Sequence, residues 1–98
     1  MIKTHRNFTL HGTPKHHAHV HINPIGELDI DIVESHEHHH TEFSSLSFKR
    51  SKQSTLLQGV DIDQKQSWQL TLDNKDAEEL TTIIQRANDD FEELMRDL

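Results

Sequence analysis

Two stretches of the chain alternate polar and apolar residues with a period of two. The first is His17-Ala18-His19-Val20-His21-Ile22 and the second is Leu28-Asp29-Ile30-Asp31-Ile32. In a strand, that period sends successive side chains to opposite faces. Between them lies Asn23-Pro24-Ile25-Gly26-Glu27, where Pro24 presets φ for a turn and Gly26 tolerates a positive one. The pattern predicts a β-hairpin. Its register follows from the core face. With Ile22 opposite Leu28, Val20 meets Ile30 and Ala18 meets Ile32, so one face is wholly apolar. The other face then sets His21 against Asp29 and His19 against Asp31. A slip of one residue would place histidines opposite isoleucines.

Elsewhere the pattern is less regular. Phe8-Thr9-Leu10 predicts a short edge strand and Gly12-Thr13-Pro14 a turn. Glu34 to Glu42 is polar throughout and predicts a loop or a solvated strand extension, with its histidines folded back near His16 and His17. Phe43 to Phe48 predicts a third strand. Thr55 to Ile62 and Ser67 to Leu72 predict a second hairpin around the loop Asp63-Gln64-Lys65-Gln66. In that second arm, Trp68, Leu70 and Leu72 share the core face. Gly59 inside the first arm suggests a bulge.

The period then changes. Ala77, Leu80, Ile84, Ala87, Phe91, Leu94 and Leu98 recur at spacings 3, 4, 3, 4, 3, 4, without Gly or Pro. That is the apolar seam of an amphipathic helix. Asp73 or Asn74 suits its N-cap, and Asp76, Glu78 and Glu79 suit the positive end of its dipole. The fold class is α+β: an antiparallel sheet of four to five strands from two β-hairpins, then one long C-terminal amphipathic helix. Residues 1–98 are expected to form a single domain, with 1–15 poorly patterned, sheet over 16–72 and helix over 74–98. A helix from about Lys75 to Asp97 spans roughly 34 Å, whereas a six-residue strand spans about 20 Å. The seam outruns the sheet that should cover it. Phe91, Leu94, Met95 and Leu98 are therefore expected to pack against a second copy of the chain in a homodimer.

Ser67-Trp68-Gln69-Leu70-Thr71-Leu72-Asp73 leading into a long C-terminal helix resembles the single-stranded-DNA-binding transcriptional positive cofactor family. The resemblance covers roughly residues 43–98 and rests on the order of elements. It implies a dimer paired through the helices and a curved sheet that binds single strands. Lys49, Arg50, Lys52 and Lys65 would be the phosphate-binding residues. The chain departs from the family in its acidity and in having few aromatic residues for stacking on bases.

Charge adds a second layer. The formal net charge is −7, and residues 27–42 hold six acids and no Lys or Arg. Such a chain repels a phosphate backbone on average. Ten histidines, if all were protonated, would carry the charge from −7 to +3, so the surface potential is sensitive to pH between about 5 and 7. The absence of cysteine excludes disulfides, thiolate metal sites and cysteine nucleophiles. No apolar run exceeds two residues, so a soluble, cytoplasmic protein with no membrane partner is expected.

His17, His19 and His21 share a strand face at intervals of roughly 6.6–7 Å. Imidazoles so placed, with Asp29 or Asp31 across from them, offer ligands to a divalent metal such as zinc or nickel. No motif requires a cofactor. No nucleophile elbow or glycine-rich phosphate loop is present, so the chain is expected not to be an enzyme. Its small size and acidic stretches fit a non-catalytic, homodimeric binding module, of the kind of a small acidic phage-type inhibitor that docks on a nucleic-acid-binding protein. Glu34, Glu37, Glu42, Asp89, Asp90 and Glu93 would meet that basic partner. The alternatives are a single-stranded nucleic-acid-binding protein, and a metal-binding or pH-sensing protein acting through the histidine-rich hairpin.

Overall fold

The computed structural model describes residues 4–12, 15–63 and 65–96. Thr13-Pro14 of the expected turn, the side chain of Leu94, and Leu98 lie outside the described residues. The architecture is α+β, as the pattern predicts. Four strands, β1 (Thr4–Thr9), β2 (His17–Asn23), β3 (Glu27–Ile32) and β4 (Glu37–Glu42), form one antiparallel sheet in sequence order. A 3-10 turn at Phe43–Ser45 leads to β5 (Ser47–Arg50), β6 (Ser54–Val60) and β7 (Ser67–Asp73), which form a second antiparallel sheet. The helix α1 (Asn74–Arg96) closes the chain.

The β2–β3 register is the one that buries an apolar face: Ala18 pairs with Ile32, Val20 with Ile30 and Ile22 with Leu28. All six are at most 3% exposed. The hairpin turn is built by Asn23, whose carbonyl accepts from Gly26 N–H and whose side chain accepts from Ile25 N–H. Gly26 takes φ +106°, a conformation that a Cβ would strain.

Three local expectations are corrected. The polar histidine run, expected as a loop or a solvated strand extension folded back near His16 and His17, ends in a full strand, Glu37–Glu42, which pairs with β3 on the far edge of the first sheet. Phe43–Ser45 is a 3-10 turn, so the strand expected from Phe43 begins only at Ser47. Gly59 is not a bulge, because β6 and β7 pair without interruption from Ser54–Asp73 to Val60–Ser67. It is a close approach instead: a Cβ there would lie 2.5 Å from Cζ2 of Trp68. The indole needs that space. Its Nε1–H donates to Thr41 Oγ1 at 2.8 Å, and Trp68 is 8% exposed, a core residue rather than a platform.

The two sheets meet at both edges. Leu10 bridges to Leu72 and His11 N–H donates to Thr71 O on one side; Ile62 N–H donates to His40 O on the other. The helix packs across β2, β6 and β7. Asn74 anchors its start, accepting from Thr55 Oγ1 and donating to the carbonyls of Ser51 and Lys52. Burial then fades along the seam. Ala77 and Leu80 are buried, Ile84, Ala87 and Phe91 half-buried, and Met95 is 52% exposed. The molecule measures 48 × 30 × 20 Å. Among the described residues, no helix is long and apolar enough to cross a membrane.

Candidate functional site

With one face of the four-stranded sheet turned to the core, strand alternation fixes what the other face carries. Cross-strand register lines up His5, His21, Asp29 and His40 in one row, and Asn7, His19, Asp31 and His38 in the next. Glu27 and Glu42 pair at one end of the face, and His17 lies at the other. Among the described residues, no Lys or Arg holds an outward position on these four strands. Arg6, on the core side of β1, reaches instead to Glu79 of the helix at 3.1 Å.

The aspartates sit between two columns of histidine, and the bonds form toward β4. His38 Nδ1 lies 2.5 Å from Asp31 Oδ1, and its Nε2 lies 3.4 Å from Asp29 Oδ1. His40 Nε2 lies 2.8 Å from Glu27 Oε1. That hydrogen bond raises the His40 pKa above its ordinary 6.5; desolvation opposes it, and the charges of Asp29, Glu27 and Asp63 reinforce it. At the turn, Glu34 accepts from the His17 backbone N–H at 2.7 Å and stands 2.6 Å from His17 Nδ1. The two contacts, side-chain first, hold the Glu34 carboxyl down to about 2. The rings of His5 and His21 meet edge to face at 4.2 Å.

The expected pairing of His21 with Asp29 and His19 with Asp31 is present as register. Convergence on a metal is not. Among the described residues, no three or more His, Asp or Glu side chains are grouped to hold one ion. The carboxylates that stand across from the β2 histidines turn toward β4 instead: Asp31 lies against Nδ1 of His38 and Asp29 against its Nε2. His17, His19, His21, Asp29 and Asp31 therefore form part of a face rather than a pocket.

The acidic candidates fall in two groups. Glu34 and Glu37 lie where β3 turns into β4. Glu42 lies at the other end of β4, accepting from Ser44 Oγ, and it shares a shallow cleft with Phe43 and Phe91 of the helix. Asp89, Asp90 and Glu93 are exposed on α1. The basic candidates are not brought together. Lys49, Arg50 and Lys52 lie at the end of the second sheet where β6 begins, while Lys65 lies beyond the other end of β6, roughly 20 Å along the strand. Arg50 is moreover bonded to Glu78 at 2.6 Å.

His39 is a residue that sequence patterning misses. It points inward from β4, stacks on Trp68 at 5.1 Å and 20°, and its Nδ1 lies 3.2 Å from the buried Asp61. Four histidines within five positions hide the alternation that sends His38 and His40 outward and His39 inward.

Compared with protein-family models, with curated protein sequences and with solved structures, the chain has no match.

Proposed function

We propose that the chain is a non-catalytic binding module that holds a basic surface of a macromolecular partner on the histidine-carboxylate face of its four-stranded sheet. One observation carries this reading: thirteen outward positions in register, without a single Lys or Arg, hold six histidines among carboxylates and small polar groups. They are His5, Asn7 and Thr9; His17, His19, His21 and Asn23; Glu27, Asp29 and Asp31; His38, His40 and Glu42.

With neutral imidazoles, the face is negative through Glu27, Asp29, Asp31, Glu42 and the adjoining Glu34. Protonation of the histidines cancels that charge, so pH sets the attraction. The basic partner of this reading is the surface of a nucleic-acid-binding protein. A single strand of nucleic acid is less well served, because Lys65 stands apart and Arg50 is paired. The helix seam beyond Ala87 supports the homodimer, since its apolar groups outrun the chain's own cover.

The test uses fluorescein-labelled poly-lysine as a model of a basic surface, with binding read by anisotropy at pH 7.5. The double variant Asp29→Asn, Asp31→Asn is expected to weaken binding by about tenfold. Asp89→Asn with Asp90→Asn, which removes the same charge from the helix, should change it much less. Equal losses from both pairs would place the attraction in overall charge and remove the face from the account.

A further inference from the structure

The second sheet has an open edge at β5, the end of the strand order β5-β6-β7. The bond from Ser51 N–H to Ser54 O fixes which backbone groups of β5 are already used. Bonded pairs alternate along an antiparallel ladder. With Ser51 bonded to Ser54, the pairs Lys49–Leu56 and Ser47–Gln58 carry the bonds to β6. The N–H and C=O of Phe48 and Arg50 therefore point away from β6. No strand of the first sheet pairs with that side. The β2–β3 hairpin stops at its turn, where Phe43 N–H donates to Gly26 O, and β5 follows beyond that point.

A groove lies beside this edge, between β5 and the helix. Two hollows of about 450 and 340 Å³ share Phe48 and Thr81 in their lining and so run together along α1. Ala77 and Ile84 line them with apolar surface, Thr82 and Gln85 with polar. Phe48 is only half-buried there, although Leu57 across from it on β6 is 1% exposed. The edge is also basic, in a chain of net charge −7. Arg50 is paired with Glu78, but Lys49 and Lys52 are exposed and enter no ion pair among the described residues.

We infer that an extended acidic segment of a partner protein adds to β5 as an antiparallel strand, bonding to the main chain of Phe48 and Arg50. Its residues opposite Phe48 and Arg50 share their face and enter the groove, which suits apolar side chains. The residue between them stands opposite Lys49 on the outer face, and the one beyond Arg50 stands opposite Ser51, beside Lys52. Both of those positions suit Asp or Glu. From Ser47 to Ser51 the edge is roughly 13 Å, which five residues span. A second copy of the strand is the poorer occupant, because it brings Lys49 and Arg50 toward the same two cations.

The experiment adds a capped glutamate-valine-glutamate-valine-threonine peptide to the full chain and follows backbone amide exchange by NMR. The peptide should bind and slow exchange at Phe48 and Arg50. N-methylation of the second valine, which faces Phe48, should weaken binding about tenfold through the lost main-chain bond. N-methylation of the central glutamate, whose N–H points away from β5, should change it much less. Lys49→Gln with Lys52→Gln should weaken this peptide severalfold and leave a glutamine-valine-glutamine-valine-threonine peptide unaffected. Equal losses from the two methylated analogues, or binding without protection of Phe48 and Arg50, would overturn the inference. So would failure of the peptide to bind, whether or not an oligothymidylate binds the two lysines. Protection of those amides that grows with protein concentration alone would make a second copy the occupant and equally overturn it. None of these readouts involves the outward histidines, so the poly-lysine result stands or falls separately.

Discussion

Gly59 and Gly26 are both glycines for physical reasons, and the reasons differ. At Gly59 the obstacle is the Trp68 ring, 2.5 Å from where a Cβ would stand. At Gly26 nothing lies within 4 Å, and the obstacle is φ +106° alone. Gly59→Ala should therefore force the indole off its bond to Thr41 and cost about 1–3 kcal/mol or more. Gly26→Ala should cost about 1–2 kcal/mol through backbone strain. Urea denaturation measures both, and loss of the buried Trp68 emission should accompany only the first. A glycine in a strand is visible in the sequence. Whether it marks a bulge or a ring pressed on the backbone depends on the cross-strand partner, and that is set by the fold.

His40 and Glu34 give the face its own pH dependence. The His40 pKa is raised, chiefly by Glu27, so the stability it contributes is present below pH 6.5 and fades as pH rises through its raised value. Glu27→Gln should bring the His40 titration, followed by NMR, back toward its ordinary value and cost under about 1 kcal/mol at pH 5.5. Glu34 runs the other way. Its contribution is present above pH 4.5 and fades as pH falls toward about 2. A His40 titration that does not move in Glu27→Gln would contradict the pairing.

At the scale of elements, legibility followed the apolar pattern. The β2–β3 hairpin was readable to its register because only one pairing buries Val20, Ile22, Leu28 and Ile30 together. The helix was readable because its seam repeats without interruption. β4 was not, because its inward residues are Glu37, His39 and Thr41, which carry no apolar signal. Thr41 is fully buried all the same, held by Trp68. The candidate site was half legible for the same reason: the columns on β2 and β3 could be placed, but not the His38 and His40 column that binds their carboxylates. The helix also carries a prediction. Phe91→Glu with Met95→Glu should turn a dimer at tens of micromolar into a monomer in sedimentation, with the sheet signal in circular dichroism retained. A wild-type chain that already sediments as a monomer would remove the dimer.

The whole molecule separates two kinds of surface. One sheet face, the second sheet and part of the helix enclose the core. The opposite face of the four-stranded sheet gathers most of the ionisable groups of residues 17–42 on one side. Acidification then acts in two directions. It strengthens the His40–Glu27 pair within the sheet, and it weakens the hold of the face on a basic partner. The most direct measurement is the affinity of the chain for fluorescein-labelled poly-lysine at constant ionic strength between pH 7.5 and 5.5. The account predicts a fall of about tenfold or more across that window as the imidazoles charge. An affinity that is flat across that window, or that rises as the pH falls, would contradict it.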